Sequence, residues 1–177
     1  MTNYRRAKTP GGVYFFTVNL AERQRTTLVD HIALLKRSFR EVQKAYPFRI
    51  NALVILPDHL HAVLALPADD ADYSGRWQRI KAAFSAALPS IERRSASRRS
   101  KGERGIWQRR FWEHLIRDEQ DYARHVDYVH FNPVKHGHVT RVQDWPHSTF
   151  HRFVREGKYP LDWAGGDEVS CIVGEQE

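Results

Sequence analysis

The run Leu53-Val-Ile-Leu-Pro-Asp-His-Leu-His-Ala-Val-Leu-Ala-Leu66 constrains the fold more than any other part of this chain. Two apolar stretches flank Pro57-Asp58, which predicts a hairpin with strands over residues 48–56 and 59–66. Side chains two apart on a strand share a face, so His59 and His61 lie side by side at the head of an apolar strand. Such a pair can clamp a divalent cation between two imidazoles. It can equally be two hydrogen-bonded strand histidines with no ligand.

About seventy residues on comes a second informative segment, residues 117–137. Asp118 is a helix N-cap with acidic residues following in the first turn, and Pro133 predicts that the helix ends near Asn132. Tyr122, Val126 and Val129 follow a helical period and predict a core stripe. Asp121, His125, Tyr128 and Asn132 form a separate polar stripe, with Tyr128 and Asn132 four apart and able to face one target. A tyrosine among polar neighbours is ordinary on an amphipathic surface; beside a histidine pair it becomes specific.

Elsewhere the pattern predicts a strand over 13–19 behind Gly11-Gly12, and a helix over 28–46 ended by Pro47. A second helix is expected over 73–88, a strand over 107–116 and a short helix over 148–155. The order β-α-β-β-α-β-α predicts an α+β sandwich, a mostly antiparallel sheet with helices packed on one face. The length of 177 residues suits one domain, over 1–160, with a flexible basic linker near 89–105 and an acidic tail over 161–177. That tail carries five acids and no Lys or Arg, so it could fold onto a basic cleft and restrain it; a disordered terminus is the alternative.

One cysteine, Cys171, excludes an internal disulfide framework and a multi-cysteine zinc site, and suits a reducing cytoplasm. No apolar run reaches the ~20 residues of a membrane span, and the basic start lacks a secretory apolar segment. A cytoplasmic chain with no membrane partner is expected. The formal charge of +7 points to a polyanion. Between Arg93 and Arg110 there are eight Lys or Arg against one acid, and Trp107, Phe111 and Trp112 follow closely. Cations can neutralise phosphates while aromatic faces take unstacked bases; a solvated loop beside a core strand is the alternative.

Six segments together resemble a known family. They are Tyr4-Arg-Arg6, Gly12-Val-Tyr-Phe-Phe-Thr17, Leu56-Pro-Asp-His-Leu-His61, Arg76-Trp77 with Ile80-Lys81, Trp107-Gln-Arg-Arg-Phe-Trp-Glu-His114, and Asp127-Tyr-Val-His-Phe-Asn-Pro-Val-Lys-His-Gly137. In this order they resemble the REP-associated tyrosine transposases, a branch of the HUH single-strand DNA transposases, from about Tyr4 to Trp163. The resemblance implies a ferredoxin-like fold, a Mg²⁺ or Mn²⁺ cofactor, and hairpins of single-stranded DNA as substrate. It makes His59 and His61 metal ligands, places Asn132 at a polar ligand position, and makes Tyr128 the nucleophile. It also implies a monomer.

The residue types suit that chemistry. A phenol of ordinary pKa near 10 is a poor nucleophile at neutral pH, and a divalent cation can polarise the scissile phosphate and neutralise its developing charge. Attack by Tyr128 leaves a 5′-phosphotyrosine and a 3′-hydroxyl; the bond energy is retained for rejoining. Nitrogen donors suit Mn²⁺ better than Mg²⁺. Tyr4, Arg5, Arg6, Arg76, Lys81, Trp107, Arg109, Arg110, Lys135 and His136 are the candidate DNA contacts. Six further histidines, His114, His125, His130, His138, His147 and His151, show no metal-ligand spacing and are expected at the surface or at DNA. Two other functions compete: an HUH nickase for replication or conjugation, and a non-catalytic hairpin-binding protein.

Overall fold

Alternation along two central strands divides the protein into two hydrophobic layers. The computed structural model describes residues 8–90 and 94–165. In chain order these form β1 (Val13–Asn19), α1 (Thr27–Asp30), α2 (Ile32–Ala45), β2 (Arg49–Ile55), β3 (His59–Ala65), α3 (Tyr73–Ala87), α4 (Ala96–Ser100), β4 (Trp112–Leu115), α5 (Glu119–Lys135) and α6 (Phe150–Arg155), with a 3-10 turn at Val142–Asp144. The sheet order is β2-β3-β1-β4 and all three pairings are antiparallel. This is the α+β, ferredoxin-like sheet that the sequence leads one to expect.

Tyr14, Phe16 and Val18 of β1 and Leu60, Ala62 and Leu64 of β3 point to one face. There they meet Leu35, Phe39 and Val42 of α2 and Trp77, Ile80 and Phe84 of α3. Phe15 and Val63 point the other way, with Ala52 and Val54, and meet Val126, Tyr128 and Val129 of α5 and Phe153 of α6. Helices therefore cover both faces, a correction to the one-sided packing read from element order. The reason lies in β1 and β3, which are apolar along one whole face and carry Val13, Phe15 and Val63 on the other, so each face needs cover.

Four local differences also have causes. The run expected over 28–46 bends at His31 (φ −115°, ψ 34°), dividing α1 from α2, although His31 N still bonds Thr27 O and Leu35 N bonds His31 O. The basic linker contains α4, capped by the Ser95 side chain on Arg98 N. The strand expected from residue 107 starts at Trp112, preceded by an isolated bridge from Trp107 to Leu20. Most consequentially, α5 does not stop near Asn132 but runs through Pro133. A proline this close to a helix end removes one backbone bond near the terminus. The helix closes at Gly137 (φ 69°), with His138 N on Pro133 O and Gly137 N on Val134 O, a Schellman motif.

At the other end the Asp118 side chain accepts from Asp121 N at 2.8 Å, the expected cap. Trp163, within the segment read as tail, stacks on Tyr159 at 4.6 Å and packs against Phe150, so the folded layer extends past residue 160. The acidic residues from 167 onward lie outside the described residues. Among the described residues no helix is long and apolar enough to cross a membrane.

Candidate active site and metal centre

β3 turns His59 and His61 toward α5, and both are buried. Their rings lie 5.0 Å apart at 85°. Each Nδ1 is engaged: His59 Nδ1–H donates to Asp58 Oδ1 at 2.6 Å, and His61 Nδ1 lies 2.9 Å from Thr17 Oγ1 across the β1–β3 register. Asp58 also accepts from Arg23 Nε. Burial raises the Asp58 carboxyl, but the hydrogen bonds from His59 and Arg23 outweigh it and bring it down to about 2. His61 is held well below the usual imidazole range, first by burial and then by the charges of His59, His136, Lys135 and Arg23. A neutral imidazole is the form that ligates metals.

Tyr128 comes from α5, with its ring 5.3 Å from His61 and 5.8 Å from Phe15. Its side chain is buried, and Lys135 Nζ donates to its hydroxyl at 2.9 Å. One turn beyond Tyr128, Asn132 is fully buried, and neither its amide oxygen nor its amide nitrogen has a hydrogen-bond partner. Buried polar groups are nearly always satisfied, so two orphaned atoms on one side chain call for a ligand. The extra turn of α5 also delivers His136, whose ring sits 5.0 Å from His59. One ligand atom each from His59, His61 and His136 lie within 4.8 Å of one another. The histidines and the orphaned amide fit a divalent cation.

The polar stripe of α5 thus faces the sheet rather than solvent. Its first turn builds a second cluster that residue spacing did not disclose, His114, Asp121 and His125. Asp121 Oδ2 lies 2.8 Å from His114 Nε2 and accepts from Arg117 N, while His125 Nδ1 bonds Asp121 O at 2.7 Å. Burial raises the Asp121 carboxyl, but the His114 and Arg117 hydrogen bonds bring it down to about 2. The His114 and His125 rings stack at 4.6 Å and 13°. Because hydrogen bonds already use these atoms, the cluster works as an anchor for the start of α5. His125 and His130 are buried, which corrects their expected place at the surface.

The expected DNA contacts divide. Arg76 is buried and bonds Pro47 O, Asp72 O and the Asp70 carboxylate, so its charge ties α3 to the segment before β2. Trp107 is core, edge-on to Phe84 at 5.5 Å. Lys81 Nζ reaches Gln108 O at 3.0 Å. Arg109, exposed, pairs with Glu103 at 2.8 Å, and Arg110 is exposed. Gln108 N bonds Asn19 O, and Asn19 is the register partner of His59, so this basic loop leaves the sheet at the histidine end. Lys135 and His136 join the site itself, and Tyr4, Arg5 and Arg6 lie outside the described residues. Thr17, Asp58 and Arg23 were missed; Asp58 could have been found as the residue before His59, and Thr17 only from strand register.

A histidine–hydrophobe–histidine strand facing a helix-borne tyrosine, on a ferredoxin-like sheet, defines the HUH class of protein. The chain is 47% identical over 96% of its length to a REP-associated tyrosine transposase of Haemophilus influenzae, covering 97% of that protein. It is 47% identical over 99% of its length to the REP-associated tyrosine transposase of Escherichia coli, covering 98% of it. The chain belongs to the REP-associated tyrosine transposases. A solved structure of a family member bound to a REP hairpin superposes with a TM-score of 0.85 at 45% identity, over 100% of this chain and 99% of that one. No family model matches the chain.

Proposed function

We propose that this chain is a metal-dependent endonuclease and strand transferase acting on REP-type hairpins of single-stranded DNA. Tyr128 is the nucleophile, and His59, His61 and Asn132 hold Mg²⁺ or Mn²⁺, with His136 as a further nitrogen donor. The observation that carries this reading is α5 laid over β3, with the Tyr128 ring 5.3 Å from His61.

A bound cation supplies Lewis-acid polarisation of the scissile phosphate. The chain's residues do the rest. Asp58 and Thr17 fix the His59 and His61 rings by their Nδ1 atoms, which sets Nε2 of each as the ligating nitrogen. α5 carries the nucleophile and the Asn132 amide one turn apart. Tyr128 Oη bonds to phosphorus as the 3′-oxygen departs, leaving a 5′-phosphotyrosine that a second 3′-hydroxyl can resolve. Three imidazoles and an amide form a nitrogen-rich set that favours Mn²⁺ over Mg²⁺.

Arg109, Arg110 and Lys81 are poised to meet phosphates at the histidine end of the sheet, with Tyr4, Arg5 and Arg6 reaching DNA from the N-terminal arm. Tyr128 reaches His61 of its own chain at 5.3 Å, so the site needs no partner's tyrosine, which supports action as a monomer. A DNA substrate and a single cysteine support a cytoplasmic, nucleoid-associated location.

End-labelled single-stranded REP-like hairpins incubated with Mn²⁺ and resolved on a denaturing protein gel test the reading. A labelled, metal-dependent adduct is expected, and Tyr128→Phe should abolish it while retaining hairpin affinity. Tight binding without any adduct, across several hairpins and both metals, makes the chain a hairpin-binding protein instead.

A further inference from the structure

Lys135 is exposed, yet its ammonium turns back along α5 to the hydroxyl of buried Tyr128, at 2.9 Å, and lies 4.6 Å from the centre of that ring. Seven residues separate the two, about two helical turns. The contact exists because α5 continues through Pro133 to its Schellman close at Gly137. Had the helix stopped near Asn132, Lys135 would lie on a turn.

We propose that Lys135 is a catalytic residue that stabilises negative charge on the Tyr128 oxygen, both as that oxygen attacks and as it leaves. The inference rests on Tyr128 being the nucleophile. In cleavage the Tyr128 oxygen bonds to phosphorus while the bond from phosphorus to the 3′-oxygen breaks. The phenol proton passes to water, and the departing 3′-oxygen takes a proton from water. In rejoining, a 3′-hydroxyl oxygen bonds to phosphorus and gives its proton to water. The bond from phosphorus to the Tyr128 oxygen then breaks, and that oxygen recovers a proton from water. Charge gathers on the Tyr128 oxygen at the start of the first step and at the end of the second. The Lys135 ammonium meets that charge with a hydrogen bond already in place on the buried Tyr128 hydroxyl, so no donor has to be recruited as the charge develops. A lysine that only held a DNA phosphate would contribute to affinity and leave the rate at saturating DNA unchanged.

Single-turnover cleavage and rejoining of a saturating labelled hairpin with Mn²⁺ separate these roles. Lys135→Met should slow both steps by about 100-fold with hairpin affinity unchanged, the scale of removing one preorganised charge-stabilising donor. Replacing Tyr128 by 3,5-difluorotyrosine, whose ring itself disperses charge from the oxygen, should shrink the Lys135→Met penalty. A Lys135→Met protein that cleaves at the wild-type rate overturns the proposal, as does an equal penalty with tyrosine and difluorotyrosine. Both outcomes leave the function itself standing, because the wild type still forms its adduct and Tyr128→Phe does not. A wild-type protein that forms no adduct overturns both.

Discussion

Thr17 and His61 are register partners on β1 and β3, and the Thr17 hydroxyl lies 2.9 Å from His61 Nδ1. With Nε2 given to a metal, Nδ1 carries the proton and the hydroxyl accepts it, which fixes tautomer and ring angle together. Thr17→Val keeps the shape and removes the acceptor. Calorimetric titration with Mn²⁺ should show affinity falling roughly 10- to 100-fold, while Thr17→Ser stays near wild type. Equal affinities for the valine variant and the wild type would mean that packing alone orients His61.

The Asn132 amide is buried with both polar atoms unbonded, so the metal-free protein bears its desolvation cost. Asn132→Leu should leave metal-free stability unchanged or raise it by up to about 1 kcal/mol. The same variant should lose much of the Mn²⁺-induced stabilisation, about 2.7 kcal/mol for wild type at a hundredfold excess over Kd. Urea unfolding with and without Mn²⁺ measures both. A full metal-induced shift in the leucine variant rules the amide out as a ligand.

The Asp121 carboxylate is nearly inaccessible and is shared among His114, His125 and the backbone N–H of Arg117. Its replacement by alanine leaves both histidines and Arg117 N without their acceptor, while the Asp118 cap on Asp121 N stays in place. A loss of about 3 kcal/mol is expected, the scale of breaking a buried ion pair, read as a lower urea midpoint. A change within about 0.5 kcal/mol, the range of ordinary surface substitutions, would falsify the anchoring role.

His130 is buried against Thr149, and burial, with the charges of Arg152 and His151, pushes its imidazole from 6.5 down to about 3. The unfolded chain therefore takes up a proton between those values and the folded chain does not, so stability rises with pH across that window. On acidification the contribution is complete above about pH 6.5 and declines toward pH 3, by about 2–3 kcal/mol at pH 4.5. Urea midpoints measured from pH 7 to pH 4 should fall more steeply for wild type than for His130→Gln. Parallel curves would show that His130 protonates in the fold as easily as in the open chain.

The strand pair, the Tyr128 helix and the sheet class were legible because each is written in local periodicity. The two-residue repeat places His59 and His61 on one face of a strand and the four-residue one places Tyr128 and Asn132 on one face of a helix, while their roles come only from the family resemblance. What escaped depends on partners distant in sequence. Pro133 reads as a stop, yet the Gly137 closure lies beyond it, and with it went the reach of Lys135 and His136 into the site. Arg76 reads as a surface cation, and only the fold shows three acceptors gathered around it. Trp107 reads as a base-stacking face until Phe84 is placed beside it. The α5 stripe of Asp121, His125, Tyr128 and Asn132 reads as one face with a common target, and it is buried against the sheet; His125, expected at the surface or at DNA, is the member that the spacing misplaces.

Along β3, odd positions carry His59 and His61 toward α5, while even positions carry Leu60, Ala62 and Leu64 into the layer of α2 and α3. Chemistry and core are thus interleaved on one seven-residue strand, separated only by parity. Shifting the pairing of this strand by one residue would exchange every side chain between the faces. Imidazoles would then enter hydrocarbon and leucines would face Tyr128. Point substitutions can alter one property at a time here, but a single-residue insertion or deletion that shifts β3 would strike folding and catalysis together.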